Sequence, residues 1–141
     1  MSGRSKRLFL LLIAVQAAHS VEEYVTRLYD VFAPARFVSG LIGEDLATGF
    51  IVINAAVVAL GIWCYLGPVR SGQGAGRVVA WSWLVVELVN GAGHILMAAS
   101  TGGYFSGVLT GVALSATAVC LALSLIVDKG RPLGTAPRRI A

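Results

Sequence analysis

The stretch "LLLIAVQAAHSVEEYV", residues 10–25, begins as an unbroken apolar run and ends with a histidine and two glutamates within five positions. Two readings compete for it. The basic "RSKR" at 4–7, the apolar run and the small residues around 17–18 have the three regions of a secretory signal peptide, and cleavage after Ala17 or Ala18 would remove the first helix. A retained run is instead a membrane span that carries His19, Glu22 and Glu23 into the lipid. Helix-compatible apolar character continues through "YVTRLYDVF" at 24–32, so residues 8–32 predict one long helix with its polar residues on a single side. Retention is the reading adopted here.

The rest of the chain agrees with a membrane setting. Its 141 residues are one domain's worth of chain, while 57% hydrophobic residues, only 13% charged and a mean hydropathy of +0.80 lie far outside the soluble norm. Four apolar segments, at about 8–29, 48–66, 78–100 and 106–127, approach the roughly 20 residues a helix needs to cross a bilayer. Runs of this length without period-2 alternation are helices, not barrel strands. Pro34, "GPVRSGQGAG" (67–76) and "STGGYFSG" (100–107) punctuate them. The expected fold is therefore an all-α, four-helix transmembrane bundle forming one domain over 1–127. A basic, Pro- and Gly-rich tail at 128–141 is expected to be disordered.

Basic residues set the orientation. Arg4, Lys6, Arg7, Arg70, Arg77, Lys129, Arg131, Arg138 and Arg139 fall on one side of such a bundle, against Arg27 and Arg36 on the other. The positive-inside rule then puts both termini in the cytoplasm and the acidic first loop, with Asp30, Glu44 and Asp45, outside. Glu44 and Asp45 read as loop acids or as an amino-terminal cap of the second span. The net charge of +4 lies in these short flanks and on no helix face, so nucleic acid is not expected as a partner. Cys64 and Cys120 lie inside apolar runs without metal-type spacing and read as small packing residues. Trp63, Trp81 and Trp83 read as an interfacial aromatic belt.

Ionisable groups are costly in lipid and are seldom kept there without a partner or a task. Glu22, Glu23, Glu87 and both histidines of the chain, His19 and His94, fall inside the expected spans. His19, Glu22 and Glu23 are spaced i, i+3, i+4. In "ELVNGAGH" (87–94), Glu87, Asn90 and His94 are spaced i, i+3, i+7. Each set shares one helix face. At about 1.5 Å per residue the two stripes, and Asn54 from the second span, lie at the same depth, from the middle to the outer half of the membrane. Gly91 and Gly93 beside the second stripe favour close helix approach.

The "HSVEE" at 19–23 resembles the His-x-x-Glu-Glu signature of the HXXEE-domain family of small bacterial integral membrane proteins. Its place in the first span, with "ELVNGAGH" in the third, extends the resemblance over most of the chain. The resemblance implies a bacterial inner-membrane enzyme of unassigned reaction. It also implies a signature site of His19, Glu22 and Glu23, with Asn90 and His94 as partners.

Two chemistries suit such a set, taken with Glu87 and Asn54. His19, Glu22, Glu23, Glu87 and His94 are ligand types for iron, manganese or zinc. Without a metal, buried carboxyl and imidazole groups can act as acid and base on a lipophilic substrate. A cation or proton transporter, or a metal-binding protein without catalysis, is the alternative. Each residue also has a structural reading: Glu23 with Arg27 as an i, i+4 ion pair, and Asn54 or Asn90 as interhelical hydrogen-bonding groups. The expected partners are the bilayer, a lipophilic small molecule and, for so small a chain, a second copy of itself.

Overall fold

The computed structural model describes residues 1–72 and 74–130; most of the basic tail, from 131 onward, lies outside the described residues. The described residues form helices and no strands: α1 (Gly3–Val25), α2 (Leu28–Val31), α3 (Ala33–Gly40), α4 (Leu46–Cys64, continuing through a π-helical turn, Tyr65–Val69), α5 (Gly74–Thr101) and α6 (Val108–Gly130). Four of these, Gly3–Val25, Leu46–Val69, Gly74–Thr101 and Val108–Lys129, are long and apolar enough to cross a membrane. Large apolar side chains such as Leu11, Leu60, Trp63, Val89, Leu96 and Leu123 are exposed along them. Lipid is the solvent that suits that surface, and the chain is read as a multi-pass membrane protein.

Helix ends depart from the apolar segments for local reasons. The first helix begins earlier, at Gly3, because Ser2 caps it: the Ser5 N–H donates to the Ser2 hydroxyl at 3.2 Å. It also stops earlier. The expected continuous helix over 8–32 breaks after Val25, where the Thr26 hydroxyl donates back to the Glu22 carbonyl at 2.6 Å and Arg27 takes the left-handed conformation at φ +56°. The break swings Leu28 and Tyr29 into a small apolar cluster with Phe50. Arg27 consequently does not pair with Glu23; it pairs with Asp30 at 2.5 Å. Asp45 caps α4 as expected, accepting from the Thr48 hydroxyl at 2.5 Å and the Ala47 N–H at 3.1 Å. Those bonds hold its carboxyl below the usual carboxylate range.

A single seam organises the core. Ser5, Phe9, Leu12, Gln16, His19 and Glu23 are the buried face of α1, Ala80, Leu84, Glu87, Gly91 and His94 that of α5, and Leu114, Ala118, Leu121 and Leu125 that of α6. Alternating steps of three and four are the spacing of helices packed side by side in a bundle. Thus α1, α5 and α6 form the packed core. Helix α4 leans on α1, where a Cβ at Gly61 would lie 2.5 Å from Ile13 Cδ1, and leaves a cleft between itself and α5.

The α5/α6 crossing depends on Gly91, whose added Cβ would lie 2.5 Å from both the Gly111 carbonyl oxygen and Ser115 Oγ. Gly91→Val should therefore destabilise the fold by about 2 kcal/mol through overpacking against backbone. Thermal unfolding in detergent checks this, and an unchanged midpoint would contradict the close crossing.

The two ends of the bundle differ in charge. The Ser2 N–H donates to Asp128 Oδ2 at 2.7 Å and Lys6 Nζ to the Arg70 carbonyl at 2.6 Å, so α1 starts where α4 and α6 end. Arg4, Lys6, Arg7, Arg70, Arg77 and Lys129 share that end. Cys64 is buried as expected, whereas Cys120 faces outward. Trp83 does not sit in an outward belt; it packs edge-on against Phe9 with ring centres 6.3 Å apart.

Candidate metal centre

Three of the sequence-predicted residues converge. His19 is 0% exposed, Glu23 and His94 are 6% exposed each, and Glu23 Oε1 lies 3.3 Å from His19 Nε2 and 3.1 Å from His94 Nε2. The imidazoles meet edge to face, with ring centres 4.7 Å apart and planes at 86°. One ligand atom from each residue lies within 4.8 Å of the others, the spacing of a shared cation. The i, i+4 step puts His19 and Glu23 on one face of α1, and the seam with α5 brings His94 opposite them.

Hydrogen bonds on the far side of each ring fix which nitrogen faces inward. His94 Nδ1 lies 2.5 Å from the Ser106 carbonyl oxygen, which can only accept, so Nδ1 carries the proton. His19 Nδ1 lies 2.8 Å from Thr110 Oγ1, and the Thr110 hydroxyl itself donates to Glu22 Oε2. Thr110 therefore accepts from His19, and Nδ1 is again the protonated nitrogen. With Nδ1 as the outward donor, each ring turns Nε2 toward the Glu23 carboxylate oxygen, as a lone pair when the ring is neutral and as an N–H when it is charged. His19 Nε2 makes no hydrogen bond at its 3.3 Å from Glu23. Three acceptor atoms facing one another repel unless a proton or a cation lies among them.

The remaining predicted residues take other places. Glu22 is not in the cluster. It receives the Leu109 N–H at 3.2 Å, the Thr110 N–H at 2.8 Å, the Thr110 hydroxyl and the Tyr104 hydroxyl at 2.7 Å. A carboxylate from α1 thereby caps the amino terminus of α6, satisfying donors that no helix can satisfy internally. Burial and this carboxylate push the Tyr104 phenol above its ordinary range. Asn54 ties α4 to α1, accepting from Ser20 Oγ at 2.7 Å and donating to the Phe50 carbonyl at 3.0 Å. Asn90 and Glu87 line, with Glu23, His94 and Asn54, a cleft of about 340 Å³. Glu87 is 2% exposed and its Oε2 has no partner.

The turn between α5 and α6 is what sequence reading missed. Ser106 offers a backbone carbonyl, Phe105 lies 5.7 Å from the His94 ring, and the Ser106 and Thr26 hydroxyls bond to each other. Gly107, at φ +84°, lies so close that a Cβ would stand 2.7 Å from His94 Nδ1 and 2.9 Å from His19 Cε1. The Gly-rich "STGGYFSG" signalled a turn, but nothing in it signalled which carbonyl would face a histidine.

Comparison with family models, characterised proteins and solved structures returned no match.

Proposed function

We propose that the protein is a metal-dependent enzyme of the bacterial inner membrane, of the HXXEE type, acting on a lipophilic substrate. In this reading both termini are cytoplasmic, and His19, Glu23 and His94 hold one divalent ion of iron, manganese or zinc. The observation that carries it is the convergence of both Nε2 atoms, their rings turned by Thr110 and Ser106, on one carboxylate oxygen. Two histidines and one carboxylate are the ligand set of open mononuclear sites, in which water or substrate completes the coordination. When bound, such an ion supplies Lewis acidity or redox chemistry. The chain's own residues hold the ring orientations through Ser106 and Thr110, and Phe105 packs at a tilt against the His94 ring.

A cation or proton carrier is the rival. It needs polar groups reaching both ends, and apolar residues interrupt any such path: Phe9, Leu12, Leu84, Leu114 and Leu121 are all at most 2% exposed. They separate the His19 layer from the hydroxyl and carboxylate groups of Ser5, Ser124 and Asp128 at the other end. That arrangement favours a site open to one side.

Elemental analysis of the purified protein beside His19→Ala and His94→Ala decides the matter. Near one metal per chain is expected in the parent, with at least tenfold less in either variant. Absence of metal from all three after supplementation with iron, manganese and zinc would remove the metal reading. Ion flux in proteoliposomes that disappears in Glu87→Gln would replace it with transport.

A further inference from the structure

Helices α4 and α5 stand apart along much of their length. Between them lie two clefts that share Val57, Val86 and Glu87: the outer one, already described, reaches Glu23 and His94, and the inner one, of about 450 Å³, runs down to Cys64 and Val78. The inner cleft is walled by aliphatic side chains with Ser82 and Trp83 as its polar residues. Glu87 sits at the seam between the two.

Two polar atoms at that seam lack a close partner. Glu87 Oε2 and Trp83 Nε1 are both buried with no hydrogen bond within 3.5 Å; their residues are one turn apart on α5, and the Trp83 and Asn90 donors stand only loosely against the Glu87 carboxyl. Unmade hydrogen bonds of this kind are destabilising and are normally satisfied by water or a ligand. One is an acceptor and the other a donor. A hydroxyl group, which donates and accepts through a single oxygen, complements both.

Charge narrows the ligand further. No lysine or arginine lines either cleft among the described residues, whereas Glu23 and Glu87 both do. Carboxylate- and phosphate-bearing lipids would bring a charge into a medium of low dielectric with no cationic side chain to meet it. That disfavours the common bilayer lipids at the seam and leaves an uncharged head. From Glu87 to Val78 along α5 is about 14 Å at 1.5 Å per residue, room for a chain of roughly ten methylenes.

We propose that the cleft between α4 and α5 binds a single-chain aliphatic alcohol, its hydroxyl held by Glu87 and Trp83 and its chain lying toward Cys64 and Val78. As the substrate class of the metal centre this rests on the reading above; as a binding site it needs no metal.

The test uses the full chain in phosphatidylcholine nanodiscs with a dodecanol carrying a mid-chain diazirine, and maps its photo-crosslinks by mass spectrometry. Crosslinks should concentrate on residues 57–64 and 78–86. Dodecan-1-ol should compete at least tenfold better than dodecanoate or dodecane, the discrimination expected when a site is built around a hydroxyl. Glu87→Gln and Trp83→Phe should each weaken labelling severalfold, and Val57→Trp, which fills the cleft and keeps both polar side chains, should abolish it. Crosslinks spread over the lipid-facing sides of all four long helices, or equal competition by dodecane, would overturn the proposal in favour of ordinary lipid contact. Metal content measured on the same samples keeps the two readings apart: His19→Ala should retain labelling, so a protein without metal that still labels fails only the first.

Discussion

Glu22→Ala should lower the unfolding free energy by about 3 kcal/mol and weaken metal binding by ten- to a hundredfold, although Glu22 touches neither histidine. The stability loss comes from the amino terminus of α6, where Glu22 receives two backbone N–H groups, a threonine hydroxyl and a tyrosine hydroxyl. Loss of a cap alone costs about 1 kcal/mol, and removing a negative charge from a helix amino terminus up to about 2 kcal/mol more. The affinity loss arises differently. Without Glu22 the Thr110 hydroxyl is free to rotate its proton toward His19 Nδ1, and the ring then no longer presents Nε2 as its lone pair. Removing the partner that orients a ligating histidine typically costs ten- to a hundredfold in affinity. Glu22→Gln, which keeps one acceptor oxygen, should fall between. Thermal unfolding in detergent and titration with a competing chelator measure the two effects. A variant that matched the parent in both would show that Glu22 has no hold on α6 or on His19.

The second large effect is expected at Gly107. Its φ of +84° disfavours any side chain, by roughly 1–2 kcal/mol for alanine. In addition, the new methyl would stand 2.7 Å from His94 Nδ1, in the space the imidazole uses to reach the Ser106 carbonyl. Gly107→Ala should therefore displace both rings and reduce metal affinity at least tenfold. Gly102→Ala separates the two causes, because its φ is +68° but a Cβ there meets nothing within 4 Å. It should show the backbone penalty with unchanged metal binding. Equal losses of affinity in the two variants would mean that turn strain, not contact with the imidazoles, controls the site.

The helical class and the four apolar segments were legible because hydropathy and length report on lipid directly. Helix ends were less so: residues 24–32 read as a continuation of the first span, and only the Thr26 hydroxyl and the left-handed Arg27 stop it. At the site, periodicity identified His19, Glu23 and His94, since the same spacing that builds the seam aligns them. It grouped Glu22 with them because i+3 and i+4 are neighbours on a helical wheel. About 100° of rotation per residue was enough to send Glu22 to α6 and Glu23 to the core. The Ser106 carbonyl and Gly107 could not be found this way, because backbone atoms carry no residue-type signal. Trp83 was misplaced for a related reason: an indole near a span end reads as interfacial, and its packing against Phe9 is a tertiary event.

The apolar band formed by Phe9, Leu12, Leu84, Leu114 and Leu121 has an electrical consequence. With the chain spanning a bilayer, the transmembrane voltage falls mainly across the dry layer, and that layer is this band. A unit charge crossing the full drop exchanges about 2.3 kcal/mol per 100 mV, but an ion that reaches His19 and His94 from the α5/α6 turn does not cross the band itself. In the metal-centre reading, occupancy should therefore follow the concentration of ions on the α5/α6-turn side far more than the membrane voltage, and de-energising the membrane should change it little.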